Sequence, residues 1–284
     1  MRIDAHQHFW DLSLAGYDWP TPDLTAIYRS FRPLDLQPLL AANGIAGTVL
    51  VQTRPSIVEN FYLTDLAARF PFILGVVGWV DLAEREAAIR IAKWAEQDKF
   101  KGVRPMLQAL DDERWILQPK LEPAIRALID HGLSFDALVL PRHLPHLAVF
   151  AQRYPELPIV IDHAAKPYIA RQIIAPWGED IAALAALPNV HGKFSGLVTE
   201  AATDWQIDHL RPYSEHLLSH FGPQRLIWGS DWPVLRLAGD YAGWCNTTDE
   251  LLATLTPAER AAILGDNAVA FYRLASSPPD TTKA

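Results

Sequence analysis

Apolar and polar positions follow two alternating regimes along the chain. Short, nearly unbroken apolar runs recur, and between them lie longer stretches in which apolar residues return every three or four positions. The first pattern reads as buried strand and the second as amphipathic helix. Taken in order, it predicts strands at 2–5, 48–53, 72–80, 101–105, 134–140, 158–163, 189–195 and 225–231. It predicts helices at 36–42, 56–69, 82–97, 121–131, 143–154, 179–186, 205–221, 247–255, 257–264 and 267–274. The punctuation agrees. Gly44, Gly132 and Gly222 follow predicted helices, Ser56 stands where an N-cap is needed, and Pro71 and Pro155 close two helices. Residues 275–284 read as a disordered tail.

Eight strand–helix repeats with buried-type strands predict an α/β fold, a distorted (β/α)8 TIM barrel. No Pro/Gly/Ser-rich linker or shift of composition divides the chain, so 1–284 is read as a single domain. A doubly wound sheet is the structural alternative. It would have fewer strands and a glycine-rich phosphate turn after the first, whereas here the first strand runs into His6-Gln-His8.

Composition narrows the function classes. Half of the 284 residues are hydrophobic, enough for a large core, and the net charge of −8 argues against nucleic acid as the main partner. No apolar stretch approaches the roughly 20 residues that span a bilayer, so no membrane partner is expected. The N-terminus lacks the basic-then-apolar order of a signal peptide, and Cys245 is the single cysteine. A cytoplasmic, disulfide-free protein is expected. The oligomeric state stays open, a homo-oligomer included.

In a (β/α)8 barrel the catalytic groups sit at the C-terminal ends of the strands. The predicted ends carry His6 and His8, Gln52 and Arg54, Trp79 and Asp81, Arg104, Asp162 and His163, Lys193 and Ser195, and Asp231. Asp136 lies earlier in its strand. An apolar strand has no structural need to finish on an ionisable group. His6 and His8, at i and i+2, share a face and form a pair able to hold a metal, a water or a carbonyl oxygen. Asp231, between a buried strand and Trp232-Pro233, is costly unless it is paired or used. Bland readings compete elsewhere. Asp4 and Asp162 precede histidines and would face the other way, as caps or ion-pair partners. Lys193 also suits a solvated strand end and Trp79 a core position. His131, His143, His146, His209, His216 and His220 read as surface residues.

Ile3-Asp-Ala-His-Gln-His-Phe-Trp10, Gly102-Val-Arg-Pro105, Ile161-Asp-His163, Lys193-Phe-Ser-Gly196 and Gly229-Ser-Asp-Trp-Pro233 together resemble the amidohydrolase superfamily. The resemblance is closest to its sugar-lactone hydrolase branch, the L-fuconolactonase-like and L-rhamnonolactonase-like proteins, and runs in order through almost the whole chain. It implies a barrel-mouth site of His6, His8, His163 and Asp231. Binuclear members bridge two metals with a strand-four lysine or glutamate and use a strand-five histidine. Here strand four ends in Arg104 and strand five offers no histidine, so a two-metal centre is not expected. One divalent ion, zinc by its ligand chemistry, held by His6, His8 and Asp231 with His163 as a weaker candidate, remains open. So does a site that needs no metal, which the branch favours.

On this resemblance the expected substrate is a small-molecule lactone such as a fucono- or rhamnono-lactone. Asp231 would act as general base towards water, and His6, His8 and His163 would polarise the carbonyl. Arg54, Arg104 and Lys193 would suit the nascent carboxylate or sugar hydroxyls, and Trp79 and Trp232 would stack on a sugar ring. Specificity is expected from loops 12–31, 106–120, 166–177 and 197–204. A metal-dependent nonoxidative decarboxylase of the same superfamily and a noncatalytic sugar-acid-binding barrel are the alternatives.

Overall fold

The computed structural model describes residues 1–14 and 16–275. The expected disordered tail, apart from Ala275, lies outside the described residues. Strands and helices alternate through the chain: β1 (Arg2–Gln7), α1 (Pro33–Ala42), β2 (Ile45–Val51), α2 (Ile57–Arg69), β3 (Ile73–Gly78), α3 (Ala87–Ala95), β4 (Phe100–Val103) and α4 (Glu122–Asp130). The second half continues with β5 (Ser134–Ala137), α5 (Leu144–Arg153), β6 (Ile159–Ile161), α6 (Trp177–Ala185), β7 (Val190–Phe194), α7 (Ile207–Phe221), β8 (Leu226–Trp228), α8 (Tyr241–Leu251), α9 (Pro257–Ala261) and α10 (Asn267–Tyr272). The strands form one sheet in the order β1 to β8, every pairing parallel.

The barrel is distorted where the site lies. β1 and β8 are joined not by a ladder between the strands but by residues just past β8. Asp231 N donates to His6 O at 2.8 Å, His8 N donates to Trp232 O at 2.7 Å, and Gln7 bridges Trp232 in parallel. This seam draws Asp231 against both histidines of the first strand. β1 also slips in register between Asp4 and Gln7. Asp4 is thereby turned to Ser230 and Tyr241, whose hydroxyls donate to it at 2.6 and 2.9 Å.

Two apolar layers hold the sheet. Ile3, Ala5, Val49, Val51, Val77, Val160 and Ile227 pack with Tyr272 and Leu274, so α10 and the residue pair after it close one end of the barrel. A larger layer between sheet and helices contains Trp177, Trp228, Trp232, Trp244 and most of the buried leucines. Among the described residues no helix is long and apolar enough to cross a membrane.

The predicted elements occur, but several boundaries move. Gly44 and Gly222, with φ of 66°, stop α1 and α7, and Ser56 caps α2 by accepting from Val58 N. α3 starts at Ala87 rather than 82, because the Asp81 carboxylate bonds Ala83 N and holds a turn there. α8 starts at Tyr241 rather than 247; Asp240 caps it through Gly243 N, a start obscured by two nearby glycines. His143 is not a surface residue: it is buried, and its Nδ1 accepts from Leu140 N at the entry to α5.

Candidate active site

β6 ends at Ile161, two residues before the predicted end. His163, Ala164, Ala165 and Lys166 follow in the left-handed region, with φ of 51°, 49°, 61° and 53°. Each non-glycine residue there costs on the order of 1 kcal/mol, so the turn needs outside support. Trp177 Nε1 supplies some by donating to Ala164 O at 2.7 Å. Because the strand has ended, period-two alternation no longer applies, and Asp162 does not face away from His163. Both point into the barrel.

Asp231, itself at φ 58°, is nearly sealed at 4% exposure. Its Oδ1 lies 3.2 Å from His8 Nε2, 3.8 Å from His163 Nε2 and 3.9 Å from His6 Nε2. Burial alone would raise this carboxyl, but His163, His8 and His6 outweigh it and hold the group below the usual carboxylate range. His8 is fixed from behind, its Nδ1 donating to Val51 O at 2.8 Å. His163 Nδ1 meets Ser195 Oγ at 3.0 Å. A Cβ on Gly196 would fall 2.6 Å from that ring, which explains the glycine in Lys193-Phe-Ser-Gly196. Burial takes His163 down to about 4, and pushes His6 well below the ordinary value, with Lys193 adding to the effect.

Beneath these rings lies a closed polar layer. Lys193 Nζ contacts Asp136 Oδ2 at 2.8 Å, Asp162 Oδ1 at 3.0 Å and His6 Nδ1 at 2.9 Å. Arg104 reaches Asp162 Oδ2 at 3.3 Å and donates to Gln52 O. Tyr272 OH and Ser134 Oγ donate to Asp136 at 2.6 and 2.8 Å. Burial would raise Asp162, yet Lys193, His6 and Arg104 hold it well below the ordinary value; for Asp136 burial prevails and the group is raised.

Above them opens a cavity of about 440 Å³, of a size for a monosaccharide-like ligand. His8, His163, Asp231, Arg54 and Arg104 line it, with Asp18, Trp19, Met106, Gln108 and Lys166 from loops. Three of the four loops expected to set specificity therefore contribute. Three residues read as substrate contacts stand elsewhere. Lys193 is fully buried below the rings, where its carboxylate partners hold it. Trp232 is sealed between Phe9 and Phe31, edge to ring with each. Trp79 lines an adjoining apolar cavity with Leu82, Leu110 and Trp115, which shares Pro55 and Met106 with the first. Asp18, Trp19, Gln108 and Lys166 escaped the sequence reading because they lie on loops without periodicity. Asp162 is the ion-pair partner it was read as, of Lys193 and Arg104, but it points into the barrel because alternation does not extend past a strand's end.

His6, His163 and Asp231 each offer a ligand atom, all within 4.8 Å of one another. Two imidazoles and a carboxylate at that spacing suit a single divalent ion with an open position. The converging set contains His163, read from the sequence as the weaker ligand; His8 instead keeps its Nε2 beside Asp231.

The family model described as Amidohydrolase matches residues 3–274. The chain is an amidohydrolase. Among its relatives, an L-fucono-1,5-lactonase of Burkholderia ambifaria is 51% identical over 277 residues, 96% of each chain. A second L-fucono-1,5-lactonase, from Burkholderia multivorans, is 35% identical over 96% of each chain. The crystal structure of an amidohydrolase from Burkholderia multivorans with bound zinc superposes with a TM-score of 0.92 at 35% identity, covering 97% of this chain and 100% of that one. This amidohydrolase is thus a single (β/α)8 barrel whose His, His, Asp cluster is of a kind that can take a divalent ion.

Proposed function

We propose that this amidohydrolase hydrolyses a sugar lactone to the sugar acid, with L-fucono-1,5-lactone and its stereochemical neighbours as first substrates to test. The observation that carries the reading is Asp231: an ionised carboxylate within 3.9 Å of three imidazoles at the floor of a cavity of sugar size. The names of the two lactonase relatives support the substrate class.

In this reading a water sits between the lactone carbonyl and Asp231. The carboxylate takes one proton as the water oxygen adds to the carbonyl carbon. Ring N–H groups of the histidine cluster and the Arg104 guanidinium stabilise the oxyanion. The tetrahedral species collapses with rupture of the acyl–ring-oxygen bond, and the proton held by Asp231 passes to the departing alkoxide. The product carboxylic acid then ionises, so each turnover releases one proton. Arg54, Gln108, Asp18 and Lys166 surround the volume where hydroxyls would lie. His6, His163 and Asp231 would hold a divalent ion, zinc by donor type, which when bound would supply Lewis-acid polarisation of the carbonyl. We take that ion as dispensable, because base and donors are already present in the side chains. The buried free thiol of Cys245 suits a reducing compartment, and we place the enzyme in the cytoplasm.

A panel of sugar lactones of varied ring size and stereochemistry, followed with a pH indicator before and after exhaustive chelation, tests the proposal. Saturable proton release with a 6-deoxy-hexonolactone is expected, and it should survive chelation. Carbon dioxide release from an aromatic acid, with no lactone opened, would instead favour the decarboxylases of the superfamily.

A further inference from the structure

Lys193 was read as a substrate contact, yet it is sealed in the barrel with three acceptors around its nitrogen. Asp136 Oδ2, His6 Nδ1 and Asp162 Oδ1 stand at 2.8, 2.9 and 3.0 Å. An ammonium has three N–H donors and no lone pair; here it bonds Asp136 Oδ2 and His6 Nδ1 and makes an ion-pair contact with Asp162 Oδ1. At 2.9 Å from that ammonium, His6 Nδ1 can only accept, since an N–H there would set donor against donor. A neutral ring that accepts at Nδ1 carries its proton on Nε2.

The competing arrangement has Nδ1–H donating to Asp162 Oδ1. It must span 3.4 Å and displace the shorter lysine contact. On the other side of the ring, Arg104 Nη1, whose two N–H groups can serve His6 Nε2 at 3.4 Å and Asp162 Oδ2 at 3.3 Å together, asks for a lone pair on Nε2, but over 3.4 Å against the 2.9 Å of the lysine contact. The shorter contact decides the tautomer.

We infer that Lys193 is a positioning residue: it fixes His6 as the Nε2–H tautomer, so that the ring offers the reacting centre a hydrogen-bond donor instead of a lone pair. The catalytic side of this role rests on the lactone-opening reading, in which the N–H strengthens its bond as the carbonyl oxygen becomes an oxyanion. The same proton bears on metal binding. An ion on His6, His163 and Asp231 needs the Nε2 lone pair. Its proton would have to leave, and Nδ1 cannot receive it while Lys193 occupies that edge. Most metal-bound histidines are backed by an acceptor; His6 is backed by an ammonium.

The test is spectroscopic. Wild-type protein labelled with 15N-histidine, freed of metal by chelation, is examined by long-range 1H–15N correlation, with His6 assigned by the signals missing in His6→Gln. The expected pattern is a protonated Nε2 and an unprotonated Nδ1; the reverse pattern overturns the inference. In Lys193→Met, zinc affinity measured against a chromophoric chelator should tighten at least tenfold. Unchanged or weaker zinc binding by a folded variant also overturns it. If that variant does not fold, the wild-type spectrum decides alone. Neither readout uses turnover, so failure here is distinct from failure to find a lactone substrate.

Discussion

Asp231 lies in a backbone region that side chains seldom adopt, and its carboxylate is surrounded by imidazoles rather than by cations. Replacing it by Asn keeps shape and volume but removes the base. Asp231→Asn should lower kcat/KM for the lactone by roughly 10²- to 10⁴-fold, the usual worth of a general base, with an unchanged circular-dichroism spectrum. Near-wild-type turnover would remove the base assignment. The pH profile tests the same residue differently. Asp231 is held ionised below the ordinary carboxylate range, and burial keeps His163 neutral down to about 4. Neither group changes its proton count between about pH 5 and 8, so neither contributes a limb to kcat/KM, corrected for spontaneous hydrolysis, in that range. As pH falls through about 4, His163 gains a proton and stops serving as a neutral ring, so the rate should drop in that window. A rate that holds level as pH falls through about 4 would show that the neutral His163 ring is not used.

At the scale of elements, the site depends on strands that stop early. β6 yields after three residues to a left-handed turn, and Gly196, just past β7, makes room for the imidazole that the turn delivers. Gly196→Ala places a Cβ 2.6 Å from His163 Nδ1 at a backbone φ of 65°. The ring must move, so kcat/KM should fall at least about tenfold, and the left-handed alanine should cost about 1 kcal/mol of stability. Steady-state kinetics and thermal unfolding on the same preparation check both; full activity would mean that His163 tolerates displacement. These early stops also mark what the sequence could convey. Apolar periodicity located all eight strands and their helices because burial alone sets that pattern. The histidines and Asp231 were legible because ionisable groups at strand ends lack a packing explanation. Asp162 and Lys193 were misplaced because their direction is set by a turn and by partners far along the chain, neither of which leaves a periodic trace. The cavity-lining loops were recognisable only as loops.

Across the whole molecule, the two ends of the barrel are joined by one column of polar groups. It runs from Tyr272 of α10 through Asp136 and Lys193 to Asp162, Arg104 and His6. The last helix is therefore both a plug for the apolar interior and a partner of the innermost carboxylate. Tyr272→Phe separates the two roles, since it keeps the ring in the plug and removes only the hydroxyl that meets Asp136 at 2.6 Å. Asp136 retains Ser134 and Lys193, so the site below His6 stays paired. Loss of a buried hydrogen bond to a charged group costs about 1.5–3 kcal/mol. At roughly 2–4 °C per kcal/mol for a chain somewhat smaller than this one, the midpoint of thermal unfolding should fall by several degrees. Turnover should stay within about threefold of wild type, because the lysine keeps both carboxylates and its grip on the histidine. Calorimetry and lactone kinetics on the one variant distinguish the outcomes. A stable protein would mean that the tyrosine hydroxyl contributes nothing net to the column. A large loss of activity at full stability would mean that the far end of the barrel, and not Lys193 alone, sets the geometry of His6.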